Sequence, residues 1–275
     1  MRPNPAVAVL LVALSGCLAT QQQESQMGAA YANQINAKLP LIGDPEVNRY
    51  INVLGDSIAR LADNQGREWH FYVVDAKDVN AFAVPGGYVY VNRGLIERFE
   101  KMNQLASVLG HEIAHVTQRH SIKQQAKAER TSAGIGIGCV LLRICNDPGT
   151  GTLVNLGAGA LMAGFSRDDE AEADRYGIDN VVRAGIDPHG MVETFEILMA
   201  ERKSKPDGLA AFFQTHPLEE DRIRQARDII NRIPPAQLEG FAVDSRNFQA
   251  FKARVKSLPP SPAAKGGRRP PCGSR

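Results

Sequence analysis

The chain has 275 residues, a formal net charge of +2, 43% hydrophobic residues and 23% charged residues. This is an ordinary globular composition, enough for one large or two small domains. A charge this near zero, with no basic stripe outside the C-terminal tail, excludes a general nucleic-acid binder.

In chain order, residues 1–16 read as a signal peptide and not as fold. MRPNPAVAVLLVALSGC has a positive start, then an apolar run from Ala6 to Leu14 too short to span a bilayer, then small residues before Cys17. Leu14-Ser15-Gly16-Cys17 resembles the bacterial lipobox, which implies cleavage before Cys17 and lipidation of that cysteine. Leu18, where inner-membrane retention would use Asp, resembles outer-membrane sorting. Several acyl chains give a stable anchor where one is marginal. Residues 17–30 then form a polar, lipidated tether, and the expected location is the outer membrane, facing the periplasm.

From Tyr31 to Asp63 the pattern is helical with a break near LPLIGDPEVNRY. Asp44 is an N-cap with Pro45 at the first helical position. Val47, Tyr50, Ile51, Leu54, Ile58 and Leu61 follow at helical spacing. REWHFYVVDA switches to strand-forming residues over 68–75, and Pro85-Gly86-Gly87 marks a turn between strands 80–84 and 87–92. Gln104 to about Arg130 reads as one long helix. Residues 131–166 are Gly-rich and apolar; a pair of closely packed core helices and a lid or membrane-facing element over a cleft are both open readings, the first favoured. Within that stretch Cys139 and Cys145 either pair across a turn or stay as two buried thiols. Helices follow over 167–184, 188–203 and 215–233, then a shorter one in SRNFQAFKARVKSL. The Pro/Gly-rich basic tail, 257–275, is disordered by composition. No repeat at solenoid period is present.

The chemistry concentrates in QLASVLGHEIAHVTQRH. His111 and His115 stand at i and i+4, one turn apart on one helix face, so both imidazoles can reach one metal ion. Glu112 is placed as the base toward a water whose pKa zinc lowers to about 7. His120 falls about 140° further round a continuous helix and should point away. A catalytic zinc needs a third protein ligand. Between Glu129 and Asp168 the sole acid is Asp147 in a Gly/Pro turn, so the candidates fall in SRDDEAEADRYGID. Glu170 and Asp174 share a face there, and Glu172 points roughly opposite. Asp174 can support a ligating histidine by hydrogen bonding.

HEIAH, EAEAD and THP at 215–217, preceded by NAFAVPGGYVYVNRGL, resemble the gluzincin peptidase family of HtpX, the CAAX prenyl endopeptidases and BepA. In architecture they resemble its outer-membrane lipoprotein members such as LoiP. The likeness covers roughly residues 30–235. It implies an α+β fold, a mainly helical zincin-like domain over 31–256 with a small sheet or hairpin beside the HExxH helix. Carried onto this sequence, it implies one zinc ion per subunit held by His111, His115 and Glu170. Glu112 is the base and Asp174 the supporting acid. His216 either stabilises the oxyanion or fills the fourth zinc position in a resting form. The hairpin over 80–92 would take an extended peptide by strand addition. His70 and His189 fit no part of the pattern and are structural. The implied function is a membrane-anchored zinc endopeptidase acting on unfolded or misassembled envelope proteins. The alternative is a non-enzymatic envelope chaperone or assembly factor that retains a zinc site.

Overall fold

A computed structural model describes residues 20–131, 164–204, 209–217 and 220–261. The signal segment, the Gly-rich stretch to residue 163, the tail beyond 261 and all four cysteines (Cys17, Cys139, Cys145, Cys272) lie outside the described residues.

The chain opens with α1 (Gln21–Asn36) and α2 (Pro45–Ala62). Asp44 caps α2 as expected: its Oδ1 accepts from the amides of Glu46 (3.1 Å) and Val47 (3.0 Å). Val47, Tyr50, Ile51, Leu54 and Ile58 form the buried stripe of α2. Three strands follow: β1 (His70–Val74), β2 (Ala81–Val84) and β3 (Tyr88–Asn92). The sheet order is β1-β3-β2; β1 runs parallel to β3 and β2 antiparallel to it. The β2–β3 turn needs its glycines, because Gly86 (φ 90°) and Gly87 (φ 102°) are left-handed. After the short α3 (Arg93–Ile96) come α4 (Met102–Thr117) and α5 (His120–Thr131). The second half holds α6 (Arg167–Arg183), α7 (His189–Ser204), α8 (Ala210–Thr215), α9 (Glu220–Ile230), α10 (Pro235–Leu238) and α11 (Arg246–Ser257). The mainly helical α+β class and the hairpin are as the sequence implies.

Strand alternation gives the sheet two apolar faces. Phe71, Val73, Val89 and Val91 join the core formed by α2, α4, α6 and α7. Tyr72, Tyr90 and Phe82 stack on the other side, where Tyr31 and Ile35 of α1 pack against them. The Tyr90 hydroxyl donates to Asn36 Oδ1 at 2.8 Å. From the far end, Phe248, Phe251 and Val255 of α11 close the core, with Phe251 stacked on Tyr50 at 4.5 Å between centroids.

Three expectations change. Residues 21–30 are the start of α1 and not a tether. Thr20 and Gln23 form a capping box, and Glu24, Gly28 and Ala32, at i, i+4 and i+8, make a buried face hidden within a polar composition. The long helix over 104–130 is two helices, broken at Gln118–Arg119, where Arg119 adopts φ 59°. The single helix read over 215–233 is interrupted: His216 ends α8 with non-helical angles and Pro217 follows, and α9 covers Glu220–Ile230.

The helix that carries HEIAH is buried from Met102 to Val116. It crosses α6 closely enough to require glycine on both sides. A Cβ on Gly110 would lie 2.9 Å from the Gly177 carbonyl oxygen, and one on Gly177 would lie 3.1 Å from the His111 Cα. Asn180 Nδ2 donates to the Gly110 carbonyl at 3.1 Å and fixes the register of the crossing. Gly110→Ala therefore has the opposite sign to helix propensity. Propensity alone would stabilise by about 1 kcal/mol. Forcing the backbones apart costs about 1–3 kcal/mol. Urea unfolding should show a net loss of stability; a net gain would mean that the crossing relaxes freely.

Candidate active site

Two helices set the site. On α4, the i, i+4 spacing aims His111 and His115 the same way, and their Nε2 atoms stand 3.0 Å apart. The capping box of Ser166 and Asp169 starts α6 one turn before Glu170, so Glu170 faces α4 from the first turn. Glu170 Oε1 lies 3.4 Å from His115 Nε2, and Oε2 lies 3.6 Å from His111 Nε2. One turn on, Asp174 Oδ1 lies 2.9 Å from His111 Nδ1. His216, at the end of α8, brings Nδ1 to 2.9 Å from Glu170 Oε1 and 3.4 Å from His111 Nε2. Donor atoms of His111, His115, Glu170 and His216 fall within 4.8 Å of one another, all buried. Glu112 lies beside them, 3.6 Å from His216 Nε2 through Oε1, while its buried Oε2 has no hydrogen-bond partner among the described residues. The six residues expected from the sequence thus meet in one place.

Two residues there were not foreseen. His120 does not turn away. It is fully buried, with Nδ1 2.9 Å from His115 Nδ1 and Nε2 3.0 Å from Glu172 Oε2. The 140° offset assumed an unbroken helix, and the left-handed Arg119 resets the phase. Arg222 of α9 was missed. Its Nε and Nη2 grip Asp174 at 2.8 and 2.7 Å, and Nη1 reaches Glu170 Oε2 at 2.6 Å. A signal existed: Arg222, Ala226 and Ile230, at i, i+4 and i+8, place an arginine on the apolar face of its helix. His189 is exposed and pairs with Asp187, and His70 stacks on Tyr88, so both are structural.

Glu112, Glu170 and Asp174 bury three carboxyl groups against one guanidinium. Burial raises the Glu112 carboxyl above its ordinary value, with His216 and His111 opposing. Burial also works against charge on Glu170 and Asp174, yet His216 and Arg222 hold Glu170 well below the usual range, and Arg222 and His111 hold Asp174 low. Burial disfavours a proton on His111, but Asp174 and Glu170 outweigh it and pull that imidazole up to about 10. Burial drives His115 the other way, well below its ordinary value, leaving it a neutral imidazole. The convergent Nε2 and carboxylate lone pairs, with His115 a neutral imidazole, fit a divalent cation there.

Comparison with known proteins agrees with this chemistry. A profile of peptidase family M48 matches residues 45–230. The chain is 37% identical over 247 residues to the beta-barrel assembly-enhancing protease of Escherichia coli K12, covering 86% of this chain and 49% of that protein. It is 31% identical over 210 residues to metalloprotease LoiP of the same organism, covering 76% and 77%. It is 30% identical over 208 residues to the mitochondrial metalloendopeptidase of Schizosaccharomyces pombe, covering 74% and 59%. The chain spans about half the length of the first of these relatives.

Arg222→Met should be severe, because it leaves two buried carboxylates without their cation. Breaking such a pair costs about 3–5 kcal/mol. The folded carboxyls of Glu170 and Asp174 are depressed, so their contribution is present above the unfolded value of about 4 and is lost as pH falls through the folded values. Urea unfolding of chelator-treated protein should show the full gap at pH 7 and a gap that narrows as pH is taken below about 4. A gap unchanged with pH would show that Arg222 acts by packing alone.

Proposed function

This chain belongs to peptidase family M48; on that premise we propose that it is a metalloendopeptidase that works with zinc, held by His111, His115 and Glu170, on misassembled proteins of the bacterial envelope. The observation that carries the reading is the convergence of three buried donors from two helices beside an unpartnered glutamate oxygen. When bound, zinc supplies Lewis-acid polarisation of the scissile carbonyl and acidifies water. Two imidazoles and one carboxylate leave a fourth position for chemistry.

Glu112 does the proton work. Its free Oε2 takes a proton from the attacking water and then returns it to the leaving amine. Burial raises its proton affinity toward the working pH, where a base and an acid are both needed in one cycle. Asp174 holds the His111 ring through Nδ1, and Arg222 holds Asp174. His216 shares the donor cluster through Nδ1, and we assign it the fourth position of a resting site, which it must leave for turnover.

Substrate binding falls to the edge strand. Among the described residues β2 pairs with β3 alone, so its outer backbone groups are available for an extended peptide. Ala83 and Pro85, at the end of β2, line one small pocket with His115, which brings such a peptide beside the cluster. Backbone pairing of this kind reads side chains weakly, which suits substrates defined by misfolding. The envelope location, with lipid at Cys17 and the outer membrane as support, is proposed from the lipobox and from the role that the name of the beta-barrel assembly-enhancing relative carries. Among the described residues no helix is long and apolar enough to cross a membrane. A non-enzymatic envelope factor is disfavoured by the family membership and by the intact Glu112.

Glu112→Gln should retain stoichiometric zinc and lose at least about 100-fold in peptide hydrolysis, the lower end of acid–base catalysis. Mass spectrometry of envelope extracts should lose the same cleavage products. Wild-type hydrolysis in that variant, with contaminating protease excluded, sinks the mechanism. His216→Ala should raise hydrolysis of a short peptide by opening the fourth position; a fall would reassign His216 to the oxyanion.

A further inference from the structure

The second histidine of HEIAH has its own support, and it comes from the residue that helical periodicity sends the other way. His115 presents Nε2 to the cluster, 3.0 Å from His111 Nε2 and 3.4 Å from Glu170 Oε1. Its other nitrogen, Nδ1, faces His120 Nδ1 at 2.9 Å. His120 Nε2 in turn faces Glu172 Oε2 at 3.0 Å. The two rings meet nearly edge-on, at 77° and 4.9 Å between centroids. Phe165 stacks on His115 at 4.0 Å and flanks His120 at 6.1 Å, closing the chain on one side.

With both rings as neutral imidazoles, donor and acceptor rules leave one arrangement of protons along these contacts. At neutral pH a glutamate carboxylate accepts only, so His120 must carry its hydrogen on Nε2. That leaves His120 Nδ1 as an acceptor. His115 must then carry its hydrogen on Nδ1, and its Nε2 lone pair is left for a metal ion. At the first histidine a carboxylate stands directly against the ring, Asp174 Oδ1 at 2.9 Å from His111 Nδ1; here the carboxylate acts through a second imidazole. We propose that His120 and Glu172 are positioning residues that set the tautomer and ring orientation of His115 for zinc. The left-handed turn at Arg119 is what delivers His120. Arg119 Nε binds the buried Glu24 Oε2 at 2.8 Å, which holds that turn from α1.

This inference rests on His115 being a zinc ligand, and the experiment separates the two. Zinc affinity is measured by chelator competition on the full chain, using Zn²⁺ alone, alongside the melting temperature of the chelator-treated protein. His120→Leu keeps apolar bulk and removes both hydrogen bonds. Its zinc affinity should fall about 10–100-fold, the usual cost of losing such support. His120→Gln offers one amide oxygen and one N–H, so it can restore both links. Its affinity should return to within about threefold of wild type by the same hydrogen-bond logic. Glu172→Ala, at a partly exposed site that puts little of the fold at risk, should weaken zinc by roughly tenfold. Wild-type affinity in both His120→Leu and Glu172→Ala overturns the proposal, as does a Gln variant no better than Leu. Failure of the wild-type chain itself to bind zinc overturns the ligand assignment instead.

Discussion

Three carboxyl groups are buried where two helices cross, and the surrounding structure is organised around that cost. Isolated buried carboxylates would be several kcal/mol unfavourable each. Asp174 and Glu170 are kept ionised by the fork of Arg222, and Asp174 is kept in place to hold His111. Burial outweighs the pull of His216, His111 and the more distant Arg222 on Glu112, so its carboxyl moves upward while the other two move downward. One environment thus yields carboxylates suited to holding a cation and a carboxyl suited to moving a proton. The difference follows from the reach of the Arg222 guanidinium together with the His216 and His111 rings.

That reach depends on the closeness of α4 and α6. Gly110 and Gly177 bring the two backbones together, and a methyl group on either would push Glu170 and Asp174 away from the histidines. Charge and packing therefore constrain one another. Arg222 draws α9 onto α6, the glycines draw α6 onto α4, and His216 is carried in just ahead of α9. None of these contacts is adjacent in sequence.

This explains what could be read from the sequence. His111, Glu112 and His115 were legible because i, i+4 spacing is local and survives any tertiary context. Glu170 and Asp174 were legible because few acids lie within reach and two share a face. Asp44, Pro45 and the Pro-Gly-Gly turn were legible because caps and left-handed glycines act on their own backbone. His120 was misread because periodicity carries phase through a helix, and one left-handed residue resets it. Arg222 was missed because whether a charged side chain is buried is decided by its partners, here forty-eight residues away. The start of α1 was read as a tether for the same reason: Glu24 looks like a solvated charge until Arg119 and Arg67 close on it.

The role of α1 follows from what it touches. Gly28 lies so close to the hairpin turn that a Cβ there would sit 1.8 Å from the Pro85 carbonyl oxygen, so the helix seats directly on the end of β2. Four residues earlier, Glu24 holds Arg119 in a conformation that costs a non-glycine residue about 1 kcal/mol or more. One helix face therefore fixes both the edge strand and the turn that brings His120 to His115. A helix that only covered apolar area would have no use for a buried glutamate, because an alanine at position 24 would cover the same face without a charge to satisfy. The charge earns its place by acting at a distance: it sets a backbone angle, and the angle sets the neighbour of a histidine.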